Sequence, residues 1–151
     1  MTKINFDLTT MQREDLMMAY RDVAGTCHKQ EEAYRKVAEH PAKRCYVSAK
    51  QAFEKLRRMV VGDFTEVDSM KEPKRRMYYY LFGKLNELSQ RKEYIGKSLY
   101  FICSFLVCEP APEFFVTPET VRDIFCKYRK YGKEYRELDL RKKRLSDKVL
   151  A

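Results

Sequence analysis

Glycine and proline are scarce in this chain, five of each in 151 residues, which excludes long flexible linkers of low complexity. No segment alternates polar and apolar residues for long enough to form a sheet, so the chain is expected to be all-α. The cysteines, Cys27, Cys45, Cys103, Cys108 and Cys126, are odd in number and show no C-x-x-C spacing, which removes zinc-finger and disulfide-framework readings. They are expected to be buried, reduced thiols of a cytosolic protein. There are only two histidines, His28 and His40. In the neighbouring pair Cys27-His28 the side chains would point about 100° apart on a helix, which does not make a nucleophile and base. There is no glycine-rich phosphate loop and no metal-ligand spacing, so a non-enzyme without cofactor or metal is expected. The start, Met1 to Asp7, holds no apolar signal core, and a cytoplasmic location is expected. The longest apolar run, Leu99 to Cys108, is about half of what crosses a bilayer. It reads as the central helix of the core, and no membrane association is expected.

Charge, by contrast, is abundant. Thirty-one Lys and Arg against 22 Asp and Glu leave a net +9, a field that favours nucleic acid or another polyanion. The length is that of one domain able to bury a core without staples.

The most informative pattern is internal. Pro41-Ala42-Lys43-Arg44-Cys45-Tyr46-Val47-Ser48 returns without a gap as Pro110-Ala111-Pro112-Glu113-Phe114-Phe115-Val116-Thr117. Beyond it the register holds, with Ala52 on Val121, Leu56 on Phe125 and Met59 on Tyr128. Such self-similarity marks one supersecondary unit used twice. A helical bundle of about six helices follows, built from two helix-corner-helix units over about 10–62 and 73–132 within one domain, 1–132. A basic helix or arm is expected over 133–151.

Helical periodicity places the first helix from Thr9 or Thr10, where a hydroxyl cap precedes Gln12, with Leu16, Tyr20 and Val23 inward. A second runs over about 29–39 and stops before Pro41. The third follows Ser48 as N-cap, with Gln51 completing a capping box and Ala52, Leu56, Met59 and Val60 inward. After a connector with at most one turn, a fourth runs from Pro73 to about Gln90, the apolar fifth covers 98–108, and the sixth starts at Thr117-Pro118-Glu119.

The run Val116-Thr117-Pro118-Glu119-Thr120-Val121-Arg122-Asp123-Ile124 resembles the turn and recognition helix of helix-turn-helix DNA-binding proteins, and the repeated corner is similar to small proteins of bacterial phages and mobile elements. The resemblance implies a non-catalytic DNA-binding regulator or accessory factor that docks the start of a capped helix in the major groove. Candidate base-edge residues are Lys50, Gln51, Lys55, Thr120 and Arg122, and candidate phosphate contacts are Lys43, Arg44, Arg57, Arg58, Lys127, Arg129 and Lys130. The cluster Lys74, Arg75 and Arg76 joins them; it stands at a helix start, where the dipole opposes positive charge. The alternative partner is a protein, with the bundle serving as an interaction or assembly module and the positive charge as a solvated surface.

Overall fold

The computed structural model describes residues 2–131, with side chains from Leu8 onward; the expected basic tail, 133–151, lies outside the described residues. The described residues form seven α-helices and no strand. They are α1 (Thr2–Ala24), α2 (Gln30–Ala38), α3 (Ala49–Val60), α4 (Thr65–Asp68), α5 (Glu72–Ser89), α6 (Leu99–Leu106) and α7 (Pro118–Tyr131), with a 3-10 turn at Lys92–Tyr94. The all-α bundle is as expected, and α4 is the single turn that the connector had room for.

Local chemistry sets the helix starts. Ser48 Oγ accepts the Gln51 N–H at 3.1 Å and Gln51 Oε1 accepts the Ser48 N–H at 3.4 Å, so two of the orphan donors at the start of α3 are satisfied reciprocally. Thr117 Oγ1 does the same for the Thr120 N–H at 3.2 Å, and Ser98 Oγ for the Phe101 N–H at 3.1 Å. Gly62, at φ +89°, takes the left-handed conformation that turns the chain after α3. The first helix differs from expectation. It begins at Thr2, and Thr10 is buried within it instead of capping it. Its apolar stripe starts two turns before Leu16, at buried Leu8, so packing carries the helix through both threonines.

A constant spacing of 69 residues relates α1 to α5, α2 to α6 and α3 to α7. The repeat therefore includes the first helix of each unit, in one common register. Leu8 and Met77, Leu16 and Leu85, Val37 and Leu106, and Ala52 and Val121 are buried pairs at this spacing. The two corners meet at equivalent residues: the Ala42 N–H donates to Ala111 O at 3.0 Å, and the Ala111 N–H donates to Ala42 O at 2.9 Å. Antiparallel pairing of equivalent residues is the relation a local two-fold axis requires. Helix packing follows it crosswise, with α2 on α7 and α3 on α6, while α1 lies on α2 and α5 on α6.

The core therefore belongs to both units. Leu16, Val37, Leu56, Met59, Leu81, Cys103 and Leu106 are all essentially inaccessible. Tyr46 stacks on Phe114 across the corners, 5.8 Å between ring centroids, and its hydroxyl donates to Asp15 Oδ2 of α1 at 2.5 Å. Burial, then that hydrogen bond, pushes the Tyr46 phenol well above its ordinary range, so it stays protonated. Val60, expected inward, is 54% exposed, because it lies in the last turn of α3, where the helix runs past its neighbours.

Substitutions in α3 are expected to rank by mechanism in urea unfolding. Leu56→Ala, which empties a fully buried site, lowers stability by about 2–5 kcal/mol. Ser48→Ala, which removes the cap, costs about 1 kcal/mol, and Lys50→Ala stays within about 0.5 kcal/mol.

Candidate functional site

The expected basic face is assembled only in part. Lys43 reaches Asp15 at 3.6 Å. Arg44 is occupied with the corner backbone, donating from Nε to Cys45 O at 3.1 Å and from a terminal nitrogen to Val47 O at 3.3 Å. Lys55 and Arg58, one turn apart on α3, both pair with Glu66 of α4. Arg76 pairs with Glu72 at 3.0 Å and with Glu113 of the second corner. Arg122 lies 3.8 Å from its neighbour Asp123. Asp15, Glu66, Glu72 and Glu113 thus interrupt the positive face. Of the remaining candidates, Lys50, Arg57, Lys74, Lys127, Arg129 and Lys130 are exposed and Arg75 is half-buried.

The helix starts are similarly committed. Gln51 stays at the surface, but its carbonyl oxygen belongs to the capping box, while bidentate reading of adenine needs both the oxygen and the amide nitrogen. The Thr120 hydroxyl lies 3.0 Å from that of Thr117. The connections within each unit also depart from the helix-turn-helix motif. Residues 39–48 separate α2 from α3, and 107–117 separate α6 from α7, both longer than the tight turn of that motif. Each second helix packs on the first helix of the other unit.

Glu66 was invisible as a site residue in the sequence, since it stands in the polar connector. Its carboxyl is held below the usual range by hydrogen bonding from Lys55 and by the nearby charge of Lys55 and Arg58. Asp63 is lowered too, chiefly by the Thr65 backbone N–H that it accepts at the start of α4.

A different surface stands out on α6. The run expected to form the central core helix is buried on one side only, through Ile102, Cys103, Leu106 and Val107. Its other side shows Tyr100 and Phe105, each 48% exposed, and Phe101, 40% exposed, with exposed Cys108 after them. The spacing explains the division: positions 100, 101, 105 and 108 share one helix face, opposite 102, 103, 106 and 107. Phe53 of α3 meets Tyr100 edge-on at 5.5 Å, Phe101 lies 5.1 Å from Phe105, and Tyr94 lies 6.1 Å from Phe105. Two cations frame these rings, Arg57 at 5.8 Å from the Phe53 centroid and Lys97 at 5.4 Å from that of Phe101.

The duplicated helix shows what the fold itself requires at these places. At the positions of α2 equivalent to Tyr100, Phe101, Ser104, Phe105 and Cys108 stand Glu31, Glu32, Arg35, Lys36 and Glu39. Glu32 and Lys36 pair with one another at 3.4 Å. A charged outer face thus suffices for a helix in this setting, and the aromatic face of α6 needs a separate reason.

Other chemistry has little material here. Among the described residues no group of three or more His, Cys, Asp or Glu could hold a metal ion, and no helix is long and apolar enough to cross a membrane. His28 is exposed, while His40 lies beside Pro41 O at 2.7 Å and Asp22 at 3.8 Å. Burial pushes the Cys45 thiol up to about 12 and that of Cys103 to about 11. Contrary to the expectation that all five thiols are buried, Cys27 is half-buried, Cys108 is exposed in the turn after α6, and Cys126 is exposed on the outward side of α7. Comparison with known proteins found no matching family model, no matching curated protein and no matching solved structure.

Two measurements check this geometry. A thiol reagent applied to the folded protein is expected to modify Cys108 and Cys126, and to reach Cys45 and Cys103 only on unfolding. Because the folded Glu66 carboxyl titrates below the free value, its pairing stabilises the fold above the ordinary glutamate range and is lost as pH falls through the lowered value. Carboxyl NMR is expected to place the Glu66 midpoint below that of free glutamate, and Lys55→Met with Arg58→Met to return it upward.

Proposed function

We propose that the protein is a non-catalytic interaction module that docks an acidic, apolar-anchored segment of a partner protein on the outer face of α6. The observation that carries this reading is the contrast between two equivalent helices, one charged outside and one aromatic. Aromatic residues and arginine are the groups enriched at interface centres, where burying a ring contributes much and ordering it costs little entropy. The flanking Arg57 and Lys97 complement acidic residues and set the charge of the expected partner.

A second reading, DNA at the start of α3, is favoured by the exposure of Lys50 and Arg57 together with the +9 net charge. It would have to work with fewer uncommitted cations than the sequence implied.

Giving α6 the residues of α2, as Tyr100→Glu, Phe101→Glu and Phe105→Lys, separates the two. The triple variant is expected to keep its stability within about 1 kcal/mol, since α2 carries those residues in the same setting. A photo-crosslinking residue at Phe105, with Lys36 as the control position, identifies the partner, whose affinity is then measured after purification. The triple variant is expected to bind it at least 30-fold more weakly, about 2 kcal/mol. Equal affinity for both proteins would remove the α6 reading. Duplex DNA binding that weakens steeply with salt, and is unchanged in the variant, would favour the second reading.

A further inference from the structure

The crosswise arrangement creates two equivalent seams, one between α3 and α5 and one between α7 and α1, and they are finished differently. After α3 the chain turns at Gly62 and lays α4 over the first seam. Phe64 stacks on Tyr79 at 6.0 Å and meets Phe82 edge-on at 5.7 Å, Val67 is buried, and Glu66 pairs with Lys55 and Arg58 of α3. An aromatic residue, a glutamate and an aliphatic residue, in the order Phe64-Thr65-Glu66-Val67, thus close that seam.

Among the described residues the second seam is a groove of about 550 Å³. Met17 and Met18 of α1 and Phe125 and Tyr128 of α7 line it, with Glu14, Arg21 and Arg129 at its edges. Met18 is half exposed, and Met11, about two turns earlier on the same face of α1, is 40% exposed. Lys127 on α7 stands at the position equivalent to Arg58. The groove therefore offers what the first seam offers α4, apolar walls with a cation beside them.

The chain carries a matching sequence in the matching place. Beyond the described end of α7 the sequence holds Gly132 and then Tyr135-Arg136-Glu137-Leu138, again aromatic, any residue, glutamate, aliphatic, two residues later than the 69-residue spacing from Phe64-Thr65-Glu66-Val67. We infer that the groove between α1 and α7 is the docking site for the chain's own segment Tyr135-Arg136-Glu137-Leu138, whose aromatic, acidic and aliphatic residues suit the groove's apolar walls and the cation beside them. The inference concerns a surface other than the face of α6 and stands or falls independently of the partner proposed there. It gives the charged segment 133–151 a defined point of attachment, and sequence periodicity alone cannot supply one because its apolar residues are too sparse for a core.

The test uses the full chain with Cys27, Cys108 and Cys126 changed to serine. Met18→Cys with Leu138→Cys is expected to form an intramolecular disulfide under mild oxidation at least ten times faster than the control pair Lys36→Cys with Leu138→Cys. Equal rates for the two pairs would overturn the proposal, and so would a covalent dimer whose rate rises with protein concentration, which would assign the groove to a second copy. Tyr135→Ala with Leu138→Ala, in the otherwise unaltered chain, is expected to raise hydrogen exchange several-fold in residues 14–21 of α1 while leaving α6 unchanged. Unaltered exchange in α1 would count against it.

Discussion

Two backbone hydrogen bonds between Ala42 and Ala111 fix the relation on which the rest of the molecule depends. Each is worth only about 1 kcal/mol net. Their geometric effect is larger, because antiparallel pairing of equivalent residues permits one arrangement of the two units, with each first helix resting on the other unit's second helix. The hydrophobic core is then a joint property of both units. Val37 in α2 and Leu106 in α6 hold equivalent buried sites, and the large side chains that seal them come from both halves of the chain.

Within that shared plan the interesting residues are those where the units disagree. The outer face of α2 is solvated by charge and that of α6 is aromatic, although the inner faces do the same structural work. The corners differ as well. Phe115 sits at φ +56°, a conformation costing a non-glycine residue roughly 1–2 kcal/mol, while the equivalent Tyr46 does not. Burial of the Phe115 ring against Tyr80, 5.7 Å away, offsets that strain.

Much of the fold was legible in the sequence because its signals are local. The Ser48 and Thr117 caps, Pro73 near the start of α5 and the period of Ala52, Leu56 and Met59 each report on one or two helical turns. The corner repeat was legible too. The crosswise packing was not, since nothing in a helical period says which neighbour a buried face meets. The start of α1 was missed because a good cap sequence at Thr9 and Thr10 yielded to the packing of Leu8.

At the surface the sequence was a poorer guide. Counting cations could not reveal that Glu66 would take two of them, or that Arg44 would hold the corner backbone. An apolar run such as 99–108 looks the same whether one side or both are covered. Only comparison with its duplicate at 30–38 distinguishes what the fold demands from what it merely allows.

The bridge also has a consequence for how the chain is put together. It ties residues far apart in sequence, so its closure entropy must be met before the shared interior rewards it, and assembly is slow relative to a bundle of sequential hairpins. Either half in isolation would display an unmet counterpart of its own surface. The short passage through α4 is what converts an arrangement suited to two identical molecules into the interior of one.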